Sequence, residues 1–417
     1  MIRMSIFHTP TRRGLLLASG VLFAWAHMPK AALAEGRDPR LLAIVLRGAL
    51  DGLATVAPVG DPGWVPLRGD KGLSLDGPAP ALPLGNFFAL NPAMPNLHAM
   101  YQAKQALIVH AVATPYRERS HFDGQDVLES GLTAPGAADS GWLNRALTTL
   151  EPGERVAQSK QAFAVGPVTP LVVRGEAPIL SWTPSRIPPA GQDTVMRLLD
   201  LYRHTDPTLA RALEERVDLA AIAGAGGMQM EQGRPGKGPG AAVRAYFAEA
   251  AGAAAKFMSR ADGPRVGALS FDGWDTHADE GATNGRLATL LGALDGALGA
   301  IQSGMGDTWR DTVVVVTTEF GRTAKINGTN GTDHGTATVA LLAGGAVKGG
   351  RVVADWPGVT GANLYEGRDL KPTTDLRAVL KGVLRDHLLV EERRLTADVF
   401  PDSNGARGLS GLVCAAA

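Results

Sequence analysis

Cysteine is almost missing from this chain: of 417 residues, only Cys414 carries a thiol. One thiol makes no disulfide within the chain and no thiolate metal cluster, so any metal must rest on His, Asp and Glu. An excess of either charge is missing too, with 41 Lys and Arg against 41 Asp and Glu. Without a basic surplus to neutralise phosphates, nucleic acid is excluded as a main partner. Beyond the first residues there is no apolar run near the ~20 residues a membrane span needs. No stable membrane span is therefore expected in the mature protein.

The first residues read as an address. Thr11-Arg12-Arg13-Gly14 leads into an apolar stretch from Leu15 to Ala26, and Ala32-Leu33-Ala34 supplies a small-x-small cleavage signature. Residues 1–34 are thus expected to be a twin-arginine signal peptide. That makes the twin-arginine translocation machinery a partner and the mature protein periplasmic or secreted. The route carries folded proteins, often with a cofactor already loaded.

Residues 35–417 read as a single α/β domain. Leu41 to Arg47 is a buried first strand, Pro92 to Lys104 a helix, and Ala106 to Val112 a second strand. A helix is expected to start at Ser120, a favoured N-cap residue with Asp123 in the capping-box position. Further helices are expected over 141–150, 192–222, 241–259, 284–302 and 376–389, and further strand over 163–173, 265–271 and 336–343. The four-valine run from Val313 is the pattern of a strand buried on both faces. The stretch 224–240, rich in glycine, is a flexible loop that fails the phosphate-loop template, because Glu231 holds the first glycine position and Gly238 follows Lys237. Strands alternating with helices predict a mostly parallel central sheet with helices on both faces.

Such sheets keep their chemistry at the carboxyl ends of the strands. Four loops in those places carry polar residues: Asp51; Ser120-His121-Phe122-Asp123; Asp272 with Asp275-Thr276-His277; and Glu319 followed by Asp333-His334. In extended backbone Asp275 and His277 point to one side, so both reach a single cation. His98, His110, His204 and His387 read as structural.

The combination RGALDGL, RERSHFDGQD, GWDTHADE, TTEFGRT and GTDHGTA resembles the exported bacterial family catalogued as domain of unknown function 1501, over nearly all of the mature chain. Members of that family resemble the alkaline phosphatase superfamily in fold. The resemblance implies two divalent metals and a hydroxyl nucleophile at a helix N-terminus. On it, Asp51 is the first metal aspartate, Ser120 the nucleophile, Asp275 and His277 (or Asp272 with His277) the Asp/His pair, Glu319 a strand-end carboxylate and His334 the last metal histidine. Phe320 stands where that superfamily has a second histidine, which leaves the second site richer in oxygen; His121, Asp123 or Asp333 would make up the deficit. Zinc suits the Asp275/His277/His334 site, and magnesium, manganese or calcium the oxygen-rich one. Arg119, Arg47 or Arg322 would clamp the oxygens of a substrate.

The expected function is a metal-dependent hydrolase of phosphate or related esters, acting on a small-molecule or polymer ester. The alternative is a non-catalytic periplasmic binding or structural protein that keeps the fold and part of the metal site. Trp182-Thr183-Pro184-Ser185-Arg186 echoes a sulfatase motif, but tryptophan occupies the position of the residue oxidised to the catalytic aldehyde, so that chemistry is not expected.

Overall fold

The computed structural model describes residues 23–26, 37–136, 138–150, 170–182, 240–261 and 263–414. The twin-arginine pair, the cleavage signature, the helix expected over 192–222, the loop at 224–239 and Thr183-Pro184-Ser185-Arg186 lie outside the described residues, as does 163–169.

Twelve strands are described: β1 (Phe23–Ala26), β2 (Arg40–Arg47), β3 (Val56–Ala57), β4 (Leu82–Leu84), β5 (Phe88–Leu90), β6 (Ala106–Ala113), β7 (Ile179–Trp182), β8 (Val266–Asp272), β9 (Thr312–Thr318), β10 (Thr338–Ala343), β11 (Arg351–Val353) and β12 (Thr374–Asp375). Nine of them form one sheet in the order β11-β6-β10-β9-β2-β8-β1-β7, with β12 also paired to β6; β3, β5 and β4 form a small second sheet. Around β2 the sheet is parallel: Ala43 faces Ala268 of β8 on one side and Val315 of β9 on the other. Seven strands of the large sheet run the same way, while β1 and β10 run against them.

The reversal of β10 refines the expectation of a mostly parallel sheet, and its cause is local. A parallel neighbour needs a crossover, usually through a helix. The link from β9 to β10, residues 319–337, holds no helix and folds back on itself through a bridge between Arg322 and His334. Because β10 is antiparallel, its leading loop arrives at the edge where β2, β6, β8 and β9 end.

Alternation along the strands fills both faces. Leu42, Ile44 and Leu46 of β2, with Val314 and Val316 of β9, join one apolar cluster; Leu41, Ala43 and Val45, with Val313 and Val315, join another. Burying each such aliphatic side chain contributes roughly 1.5–3 kcal/mol. The first face is covered by α3 (Pro95–Gln102), α6 (Ala241–Ser259) and α7 (Arg286–Met305), and the second by α5 (Trp142–Thr148) and α8 (Leu376–Leu388). The other helices used below are α1 (Gly52–Thr55), α2 (Trp64–Arg68) and α4 (His121–Ser130). Among the described residues no helix is long and apolar enough to cross a membrane.

Candidate metal centre

Three loops deliver histidine to one spot at the carboxyl edge of the sheet. β6 runs out through Thr114 to Arg119, which sits at φ +63°, a left-handed conformation uncommon for a residue with a Cβ. That turn sets His121 as the first residue of α4. β8 runs out to Asp275 and His277, and the β9–β10 link returns His334 just before β10. Ligand atoms of His121, Asp275 and His334 all lie within 4.8 Å of one another. His277 adjoins two of the three, with its Nε2 3.1 Å from Asp275 Oδ1 and 2.9 Å from His334 Nε2.

Each ring is held by an acceptor on its far side. His121 Nδ1 is 2.9 Å from Glu319 Oε1, His277 Nδ1 is 3.2 Å from Asp333 Oδ1, and His334 Nδ1 is 2.8 Å from the Arg119 carbonyl. Carboxylates and carbonyls only accept, so the proton of each neutral ring is assigned to Nδ1 and the Nε2 lone pair faces the cluster. Buried His121 Nε2 has no hydrogen-bond partner at all. Lone pairs on His277 and His334 at 2.9 Å repel unless a proton or a cation lies between them. Two nitrogens on one tetrahedral zinc, each ~2.0–2.1 Å from the ion, stand ~3.3 Å apart, close to this separation. The donor set of His121, His334 and Asp275, with His277 beside the last two, fits a divalent ion of the zinc type, each imidazole being oriented from behind.

The electrostatics agree. Asp275, Glu319 and Asp333 set three carboxylates against the one guanidinium of Arg322, leaving two negative charges to be balanced. Burial alone would raise Asp275, but Arg322, 2.7 Å away, holds it below the usual carboxylate range. Glu319 is fully buried, and desolvation is outweighed by hydrogen bonds from His121, Thr318 and the Gly48 N–H, so it too titrates low. In return the hydrogen bond to Glu319 raises His121. Burial and the nearby His121 lower His334.

The loops press on one another closely enough to need glycine. A Cβ on Gly48 would stand 2.5 Å from the Asp275 nitrogen, and one on Gly331 would stand 2.3 Å from the His277 carbonyl carbon. Phe320 also has a task here. Its ring stacks on His121, with centroids 5.1 Å apart and an interplanar angle of 23°, and lies 5.4 Å from the ring of His334.

Other residues singled out in the sequence stand elsewhere. Asp51 is outside the cluster: it caps α1 at the Ala54 N–H and forms a buried ion pair with Arg68 at 2.8 Å, which engages both carboxylate oxygens. Glu319 and Asp333 lie behind histidines rather than among the converging atoms. Between Asp272 and Asp275, it is Asp275 that joins the cluster; Asp272 faces Arg47 across the β2–β8 register. The oxygen-rich second site of Asp51, Glu319 and Ser120 is not assembled in this arrangement.

Arg119 binds Asp369 and Glu366, Arg47 binds Glu129, and Asp123 accepts from Tyr116. Of the three guanidinium groups only that of Arg322 touches the cluster, at Asp275; Arg119 meets it through its backbone carbonyl alone. Ser120 is the N-cap residue of α4 by backbone conformation, but its hydroxyl makes no capping bond; the Tyr116 hydroxyl accepts its N–H at 3.2 Å. His121, which the sequence offered only as a substitute ligand, is central. The signal for it was its place after a strand and beside a helix cap.

The family described as "Protein of unknown function (DUF1501)" matches residues 92–398, well over half of the chain. Every converging side chain, and every acceptor behind the three rings, falls inside that span. No curated protein and no solved structure matches the chain.

Proposed function

The chain belongs to the DUF1501 family, and from that premise we propose that it is an exported metal-binding protein that hydrolyses phosphate or related esters at a single centre of His121, Asp275, His277 and His334. One observation carries the reading: His121, His334 and Asp275 converge, His277 Nε2 adjoins Asp275 and His334, and the Nδ1 of each of the three rings is held by an acceptor. A zinc-like ion bound there would supply Lewis acidity toward an ester oxygen.

The rest of the chemistry belongs to this chain's own residues. Glu319 and Asp333 place the proton of neutral His121 and His277 on Nδ1, so that in the neutral rings the Nε2 lone pairs face the centre. Arg322, buried and tied to Asp275 and Thr332, offers fixed positive charge beside the centre, of use to an anionic ester. Ser120 precedes His121, is partly exposed and does not cap its helix, which leaves its hydroxyl suited to attack as the nucleophile. The alkaline phosphatase-like form of this reading expects two metals, and the pairing of Asp51 with Arg68 favours one. Export by the twin-arginine route, cleavage near Ala34 and a periplasmic or secreted location belong to the same proposal, on the strength of Arg12-Arg13 and Ala32-Leu33-Ala34; such cleavage would take β1 out of the sheet, where it lies between β8 and β7.

The test is metal content by mass spectrometry on the exported protein, with a screen of phosphate and sulfate esters. One equivalent of metal, lost in His277→Ala, with turnover that disappears in Ser120→Ala, is the expected result. A well-folded, metal-free protein from metal-replete medium would remove the proposal. The contact of Arg322 with Asp275 favours a second reading, in which the centre binds without turnover, since an internal cation already engages the carboxylate. Metal at full occupancy with no ester turned over would select it.

A further inference from the structure

Apart from the metal centre, α8 and the C-terminal segment border an open pocket of about 510 Å³ lined by Lys381, Arg385, Glu392, Thr396, Asn404, Arg407 and Gly408. Its chemistry is one-sided: three cationic side chains face a single carboxylate, Glu392, and that carboxylate is engaged by Arg385 at 3.3 Å. Arg385 is fully occupied, since it also holds Asp386 at 2.7 Å and the Gly408 carbonyl at 3.3 Å.

Lys381 differs. It is 1 % exposed, and its ammonium donates only to neutral oxygens, the Thr396 hydroxyl at 3.1 Å and the Ser403 carbonyl at 2.9 Å. An ammonium has three donors, so one remains for the cavity. Glu392 and Asp375 act on Lys381 only at a distance, and a buried cation with no carboxylate hydrogen-bonded to it is costly unless something anionic meets it. Arg407 lines the same space, is exposed, and has no ion-pair or hydrogen-bond partner among the described residues. A free guanidinium is a fork matched to phosphate and carboxylate oxygens.

The close packing of this corner is built in. A Cβ on Gly408 would lie 3.1 Å from Arg385 and 3.3 Å from Lys381 Cβ. The C-terminal segment thus lies directly on α8 and holds Arg407 over the cavity that Lys381 floors.

We propose that this cavity is a binding site for a small oxyanion, a phosphoryl or carboxylate group of a soluble molecule, held by Lys381 and Arg407 with Asn404 and Thr396 as neutral partners. Lys381 supplies a desolvated charge at the floor, and Arg407 closes over the ligand from the solvent side. The site shares no residue with the metal centre.

The experiment is calorimetric titration of the full-length exported protein with inorganic phosphate, then with succinate, carried out on the His277→Ala protein so that the metal centre contributes nothing. Saturable binding of one equivalent of either anion is expected, weakened tenfold or more when Arg407→Ala or Lys381→Met is added. Arg407 is exposed and unpaired, so its removal leaves the fold intact and keeps the test decisive even if Lys381→Met unfolds. Preference for phosphate over succinate would identify a phosphoryl group, and the reverse a carboxylate. No saturable binding of either anion, or binding unchanged in Arg407→Ala, would overturn the assignment.

Discussion

Replacing Glu319 with Gln isolates the part of the centre that no ligand list would include. Glu319 is fully buried; Oε1 accepts from the Gly48 N–H at 2.8 Å, His121 Nδ1 at 2.9 Å and Gln125 at 3.3 Å, and Oε2 accepts from Thr318 Oγ1 at 2.8 Å. The amide keeps the shape and, with its oxygen in the Oε1 position, keeps the three Oε1 bonds. Its NH2 group meets the Thr318 hydroxyl, which reverses to accept. What disappears is the charge. Hydrogen bonds to a charged group contribute ~1.5–3 kcal/mol each and neutral ones ~1 kcal/mol, and bonds sharing one oxygen do not add. The expected loss of stability is therefore about 1–3 kcal/mol, read by urea unfolding. His121 also becomes a less basic, less firmly aimed ligand, and changes behind a metal-binding histidine typically lower affinity about 10–100-fold. Competition of zinc against a chromophoric chelator, on protein shown by circular dichroism to be folded, measures that directly. An affinity within twofold of wild type would refute the claim that Glu319 positions His121, whatever happens to stability.

Three more predictions follow from the same structure. Asp51→Asn breaks a buried ion pair with Arg68 and is expected to cost about 3–5 kcal/mol while leaving zinc stoichiometry unchanged; loss of metal from folded protein would return Asp51 to the ligand set. Gly331→Ala drives a methyl into the His277 carbonyl carbon and is expected to cost roughly 1–3 kcal/mol together with a loss of zinc affinity, checked by unfolding and titration. Stability against pH is expected to rise and then fall. His110 and His387 are buried and titrate at about 4. Between there and their ordinary value near 6.5, the unfolded chain binds more protons, so stability climbs with pH. Glu280 is pushed up by burial and by Asp51 to about 8; from its ordinary value near 4.5 up to 8 the folded state holds the extra proton, and stability declines by up to ~1.4 kcal/mol per pH unit. Glu280→Gln should make the decline between pH 6.5 and 8 in metal-free protein shallower, leaving the part due to the raised His121, and a decline that persists unchanged would contradict it.

Much of the scaffold was legible in the sequence because each signal was local. The valine run, the Ser120 turn and the alanine-rich helix from Ala241 carry their period and caps within a few residues. The direction of β10 was not legible, since it depends on what the 319–337 link lacks. Strand ends are where the sequence pattern points for ligands, and the structure brings Asp275, His277 and His334 together at such an edge. The role of each carboxylate was not legible. Asp51, Glu319 and Asp333 all end or follow strands as a ligand would, and only the distances to Arg68, His121 and His277 separate an ion pair or a ring support from a ligand. Phe320 shows the same limit: by residue type it is a missing nitrogen, and by position it is the ring that flattens His121 into place.

The contacts at Gly48 and Gly331 have a bearing on how this molecule can change over generations. They couple the loop after β2, the loop after β8 and the β9–β10 link backbone to backbone, with no side chain between to absorb a shift. Lengthening any one of these segments near its glycine would displace its neighbour as a rigid piece, so insertions there must arise in matched pairs or not at all. Variation in loop length is then confined to stretches outside this joint, such as the mostly exposed, irregular 74–80, where growth leaves the three histidines undisturbed. An engineer grafting new specificity onto this scaffold should therefore build outward from those stretches and treat the glycine-locked rim as one indivisible part.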